Sequence, residues 1–202
     1  GAYYMTLNRN KKSITLDLKS ERGLQVFYEL VKTADIVLSN CSAGVTARLK
    51  VDYEHLSKIN PRIITCTVTG FGETGPNKDR TAFDMVAQAM GGGMSITGQP
   101  GNPPTRSGIP IGDLGGGLMG VIGVLAAIQA RHVTGRGQHV DISMLDADKL
   151  ELELERSTSR STSRSTSRST SRSTSRSSSN STSATTPPDL TQPVPKYGVF
   201  EL

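Results

Sequence analysis

Two hydrophobic rhythms take turns along the first part of the chain. Residues 13–18 (SITLDL) alternate polar and apolar side chains, which puts every second one on the same face and predicts a strand. Ser20 then offers a helix N-cap, and Leu24, Phe27, Leu30 and Val31 follow at helical spacing, giving one stripe to bury. Residues 35–39 (DIVLS) form a short apolar run of strand length. Two short helices are expected over 44–49 and 53–59, with Pro61 marking the break. Residues 62–69 (RIITCTVT), rich in β-branched side chains, predict a third strand. Strand, helix, strand, helix, strand is the order that builds a parallel sheet with helical crossovers.

Beyond residue 69 the pattern loosens and then resumes. Residues 70–80 carry turn chemistry, and 81–90 predict a helix that ends at Gly91-Gly92-Gly93. Residues 97–112 are rich in Gly and Pro and read as irregular. The run 114–130 is apolar nearly all round, which predicts a buried helix, ended by Gly135 and Gly137. A strand over 138–143 follows, and a small helix is expected to start at Met144. From Arg156 the composition changes, and residues 157–176 are five tandem copies of Ser-Thr-Ser-Arg. Such a segment has no apolar surface to offset the entropy of ordering it. The expectation is an α/β domain over 1–148, built on a partial open parallel sheet with helical crossovers. A disordered, low-complexity Ser/Thr/Arg-rich tail is expected over 149–202.

Charge and cysteine content narrow the classes. The formal net charge is +5, of which the residues after 150 supply +2 through six Arg and Lys196 against five acids. The first 150 residues are therefore only mildly basic, a poor footprint for nucleic acid but suited to an enzyme that handles anionic ligands. Cys41 and Cys66 make no disulfide framework, and there is no CxxC or Cys/His ligand pattern. No metal is expected, and a reducing compartment is the default. That means the cytoplasm, or the mitochondrion where a transit peptide has been lost. The run 114–130 falls short of the ~18 or more apolar residues that suggest a membrane span. The chain opens Gly-Ala-Tyr-Tyr without Met, so targeting is not readable from its start.

Among residues that could carry chemistry, Asp113 stands out. It precedes Gly115-Gly116-Gly117 and the long apolar helix. A carboxylate there faces free helix N–H groups and the positive end of the dipole, both of which favour its ionised form. This is how a nucleophilic carboxylate is placed, and it is equally the place of an ordinary N-cap; spacing leaves both open. Asn40 lies at the carboxyl end of the second expected strand, where ligands sit in open α/β sheets. Arg9, Lys11 and Lys12 form a basic cluster beside the first expected strand, and Arg48 falls on the short helix after Asn40. His55, His132 and His139 have no Ser, Cys or Asp at suggestive spacing and are read as structural. Gly91–Gly93 lacks the Lys-Ser/Thr ending of a phosphate loop.

Six ordered blocks then carry a resemblance: LNRNKKSITLDL (7–18), ADIVLSN (34–40), INPRIITCTVTGFGETGP (59–76), FDMVAQAMGG (83–92), PIGDLGGGLMGVIGVLAA (110–127) and TGRGQHVDISMLDA (134–147). Together they resemble the class III CoA-transferase family, which includes formyl-CoA and carnitine CoA-transferases, over residues 3–147. The resemblance implies an incomplete Rossmann-like large domain and transfer of coenzyme A between carboxylic acids. Its substrates would be acyl-CoA and a carboxylic acid acceptor, and the full-length family forms homodimers. The family's nucleophilic aspartate matches Asp113 and passes through covalent aspartyl intermediates. Its CoA-binding Asn, Arg and Lys match Asn40, Arg48 and Lys11, with Lys12 an alternative to Lys11. Thr81 stands where some relatives carry a Lys.

The same family contains acyl-CoA racemases, whose proton-shuttling His falls in the block matching Phe83-Asp84. Phe83 cannot shuttle a proton, which favours transferase over racemase. Relatives begin with a further strand-helix unit and continue into a second small domain, so the resemblance implies a truncated fragment, inactive by itself. A third reading is a non-catalytic remnant with an arginine-serine interaction tail, although no RNA-recognition motif accompanies the repeat.

Overall fold

The protein was examined as a computed structural model, which describes residues 1–149 and 199–201. Four parallel strands form one sheet in the order β3-β2-β1-β4: β1 is Ile36–Ser39, β2 Ile64–Thr69, β3 His139–Ser143 and β4 Val199–Glu201. Ile36 pairs with Ile64, and Thr65 with His139. Parallel neighbours cannot be joined by hairpins, so the β1–β2 and β2–β3 links cross over through helices. Helix α1 (Ala2–Leu7), which the hydrophobic pattern did not announce, and α2 (Glu21–Val31) precede β1. Helices α3 (Val45–Arg48) and α4 (Tyr53–Ile59) link β1 to β2. Helix α5 (Asp84–Gly91), a 3-10 turn at Gly93–Ser95 and α6 (Ile111–Thr134) link β2 to β3.

Strand alternation sends successive side chains to opposite faces, and the two cores follow from it. On one face Val37 joins Phe27 and Val31 of α2, Leu56 of α4, and Ala34, Val51 and Ile63. Ser20 caps α2, its Oγ accepting from the Gly23 N–H at 3.1 Å. Leu56 is wholly buried, and burial of such a side chain contributes about 1.5–3 kcal/mol. On the other face Ile36 and Ile64 meet Ala127 and Ile128 of α6. The approach there is close: a Cβ at Gly123 would lie 2.6 Å from Val140 Cγ1. At its far end α6 is held by Arg131, which is 4 % exposed. Its guanidinium donates to the carbonyls of Arg62 (2.9 Å) and Asp35 (3.4 Å) and to Asp35 Oδ1 (3.0 Å). Asp35 and Arg62 lie at the amino ends of β1 and β2. Gly116, nearer the start of α6, lies against Val68 and Met144 at the carboxyl ends of β2 and β3. Helix α6 therefore runs antiparallel to the strands, with its N-terminus at the carboxyl edge of the sheet.

Three expectations change. Residues 11–17 form neither helix nor strand, so the strand expected over 13–18 is absent. Leu16 and Leu18 pack beside the first core, while Ile14 is exposed. Alternation earns a strand only when another strand stands alongside, and the free edge of β1 is taken by β4. Second, α6 is not buried all round. Leu114, Leu118, Val121, Ile122, Leu125 and Val133 are 48–83 % exposed. The helix also runs to 24 residues and holds an 18-residue window of mean hydropathy 1.8, long and apolar enough by those measures to cross a membrane. Here it docks on the sheet instead. Third, of the expected tail over 149–202, residues 150–198 and 202 lie outside the described residues. Lys149 continues a helical stretch over 144–149, and Val199–Glu201 adds β4 where no strand was expected. Val and Phe are good strand formers, and the open edge of β1 presents unpaired backbone groups to them.

Candidate active site

Asp113 occupies the first turn of α6, at the carboxyl edge of the sheet. It is not the N-cap. The helix begins two residues earlier, after Pro110, and its orphan amides are already satisfied. The Ile111 N–H donates to the Ile109 carbonyl (2.9 Å) and the Leu114 N–H to that of Pro110 (3.0 Å). Between them, Gly112 N–H and Asp113 N–H both donate to Oδ1 of Asp84, at 2.9 and 3.4 Å. The cap of α6 is thus a carboxylate borrowed from the first turn of α5. Asp84 is buried, and its other oxygen accepts from Gln88 Nε2 at 2.8 Å. Gln88, 1 % exposed, accepts in turn from the Ser107 N–H at 2.9 Å, tying α5 to the segment that leads into α6.

This arrangement overturns the expectation that the helix N-terminus favours the Asp113 anion. The Asp113 carboxyl is pushed above the usual carboxylate range, first by desolvation and then by the negative charge of Asp84. Among the described residues its carboxylate makes no hydrogen bond or ion pair, and its side chain is exposed. It is a reachable carboxylate whose basicity is raised. The amides of this first turn are engaged and so are not free to stabilise an oxyanion. The backbone there is bare and close: a Cβ at Gly112 would lie 3.0 Å from Ala87 Cβ and 3.2 Å from Asp84 Oδ1.

The other expected residues distribute unevenly. Asn40 is exposed directly after β1, at the same carboxyl edge as Asp113, one strand across from β2. Arg48 is exposed at the end of α3. Lys11 and Lys12 are exposed at the start of the irregular stretch that follows α1. A cleft of about 630 Å³ opens beside the carboxyl edge between the loop Phe71–Asn77, Met119 of α6 and residues following β3; Asp113 does not line it. Among the described residues no group of three His, Cys, Asp or Glu could hold a metal.

Sequence reasoning missed several partnerships. His139 is not isolated: its Nδ1 lies 2.8 Å from Thr65 Oγ1 and its Nε2 2.9 Å from Glu73 Oε2. This links the loop after β2 to the sheet beside a cavity of about 250 Å³. His55 pairs with Asp52. Asp148 is 3 % exposed, with one oxygen unpartnered among the described residues, and burial pushes its carboxyl up. Phe83, at the racemase histidine position, is 79 % exposed. The only local hint of Asp84 was an acid in a helix's first turn, which is commonplace.

Comparison with known proteins adds the family. The profile of CoA-transferase family III matches residues 1–183. The acetyl-CoA:oxalate CoA-transferase of Acetobacter aceti is 46 % identical over 145 residues, covering 71 % of this chain and 37 % of that protein. The succinate–glutarate CoA-transferase of Agrobacterium fabrum is 40 % identical over 151 residues, covering 75 % and 38 %. A crystal structure of a CAIB/BAIF family protein from Brucella suis superposes with a TM-score of 0.70 at 40 % identity, covering 73 % of this chain and 39 % of that one. The chain thus spans little more than a third of the length of these relatives. With its parallel sheet, its crossover helices and an aspartate on the first turn of α6, the chain belongs to CoA-transferase family III.

Proposed function

We propose that Asp113 is the nucleophile of a CoA transfer between carboxylic acids, proceeding through covalent aspartyl intermediates. The observation that carries this reading is an exposed carboxylate of raised basicity at the carboxyl edge of an open α/β sheet. The carboxylate attacks the thioester carbonyl of an acyl-CoA and expels the CoA thiolate, leaving a mixed anhydride. The thiolate attacks the aspartyl carbonyl and releases the donor acid, leaving an aspartyl-CoA thioester. The acceptor carboxylate then attacks that thioester, expelling the thiolate. The thiolate takes the acceptor's acyl group and frees Asp113. Covalent catalysis splits one hard exchange into four easier displacements. Asn40, Arg48 and Lys11, or Lys12 in place of Lys11, supply polar and cationic groups for the CoA phosphates and amides. The two relatives named above are transferases for oxalate, succinate or glutarate, so a short dicarboxylic acid is the acceptor class to test first. Racemisation is disfavoured by Phe83, which has no proton to move.

The reading extends to inactivity of the 202-residue chain alone. Helix α6, which carries Asp113, leaves six large apolar side chains open to water, whereas such a site works best with water excluded. The test grafts residues 1–148 in place of the matching segment of the Acetobacter aceti relative. The chimera is incubated with a labelled acyl-CoA and hydroxylamine. A hydroxamate at Asp113, abolished by Asp113→Ala, is the expected result, and the 202-residue chain alone should give no transfer. Consumption or racemisation of acyl-CoA without modification of Asp113 would sink the reading.

A further inference from the structure

The contact between α5 and α6 raises a question that the proposed chemistry leaves open. A carboxylate on the first turn of a helix can fold back onto a free amide as a cap, losing its reach. Asp113 does not. Asp84 already accepts from the Gly112 and Asp113 N–H groups, although it is 28 and 29 residues away and sits on another helix. It is fixed there by the buried Gln88, which grips Asp84 through its amide nitrogen and the backbone of Ser107 through its oxygen.

We propose that Asp84 is a positioning residue for Asp113: it closes the N-terminus of α6 from outside the helix and so keeps the Asp113 carboxylate out of the cap and directed to solution. This deepens the nucleophile reading and rests on it for its purpose, though not for its geometry. The charge of Asp84 works in the same direction, since two carboxylates on one helix terminus repel. It is one of the two causes of the raised basicity of Asp113, after desolvation. The other carboxyl in this field is Asp148, on the helical stretch 144–149, which lies against Gly91 and Gly93 and feels Asp84 as well.

The test is an NMR titration of the 202-residue chain, following the Gly112 and Asp113 amide protons and the side-chain carboxyl carbons of Asp84, Asp113 and Asp148. In the wild type the Gly112 amide proton should move in step with the Asp84 carboxyl. Asp84→Asn keeps the acceptor oxygen and removes the charge, so that movement should vanish and the Asp113 midpoint should fall. Asp84→Ala frees the amides, and the Asp113 midpoint should fall further as its own carboxylate becomes the cap. A Gly112 amide that follows Asp113 in the wild type, or an Asp113 midpoint unchanged in both folded variants, overturns the proposal. The wild-type titration decides by itself when a variant fails to fold. No acyl-CoA enters the experiment, so its failure strikes the positioning role, while a failed hydroxamate trap strikes the nucleophile.

Discussion

Cys66 shows what a neighbourhood does to a side chain. It sits on β2 at 1 % exposure, against Gly120 of α6. Burial, and secondarily the charge of Asp141, pushes its thiol up to about 11. Only the thiolate is a good nucleophile, so Cys66 should resist iodoacetamide at pH 8 in the folded chain and react once urea unfolds it. Peptide mapping by mass spectrometry separates it from Cys41; labelling of native Cys66 at pH 8 would refute the expectation. The linkage has a sign. Between the ordinary thiol value and about 11 the unfolded chain has released its proton while the folded chain retains it, so this group lowers stability as pH rises through that window. At the same scale, Asp113 was legible as a candidate because an acid before a glycine run and a long apolar stretch is a local pattern. Its true surroundings were not. The partners that define Asp113 and His139 stand 29 to 74 residues away in sequence, a separation that no local spacing rule spans.

Among the elements, those with strong periodicity emerged within a few residues of expectation. The strands at 35–39, 62–69 and 138–143 became β1, β2 and β3, and Ser20 capped α2 as its position implied. Residues 13–18 failed because a strand is a property of two segments, and the pattern of one cannot supply its partner. Helix α6 was legible as a helix but not in its manner of attachment. Arg131, which no sequence pattern singled out, ties the C-terminal end of α6 to the amino ends of two strands with three hydrogen bonds. Hydrogen bonds to a charged group contribute roughly 1.5–3 kcal/mol each where they replace solvent poorly. Asp35 is partly exposed, so the total is well below a simple sum. Arg131→Met, which retains much of the volume, should therefore destabilise the chain by about 2–3 kcal/mol. A urea midpoint within error of the wild type would show that the guanidinium merely fills space.

For the whole molecule, the composition of α6 and its surroundings disagree in an informative way. A helix apolar nearly all round was expected to be covered all round, as in the centre of a large domain. The sheet covers one side only. On the other, Leu114, Leu118, Val121, Ile122 and Leu125 recur at intervals of three and four residues, close to one face of the helix. Soluble monomers rarely leave so continuous an apolar stripe in water. The chain spans about 37 % of its Acetobacter aceti relative, and the helix is more apolar than the sheet beneath it needs. The consequence is measurable. The folded 202-residue chain should enhance the fluorescence of an apolar dye such as anilinonaphthalene sulfonate. Leu118→Glu with Leu125→Glu should abolish most of that signal while leaving the far-ultraviolet dichroism of the helices intact, because neither side chain touches the sheet-facing core. Loss of helical signal in the double variant would instead mean that the stripe is covered from within the chain, and dye binding unaffected by the charges would place the apolar surface elsewhere.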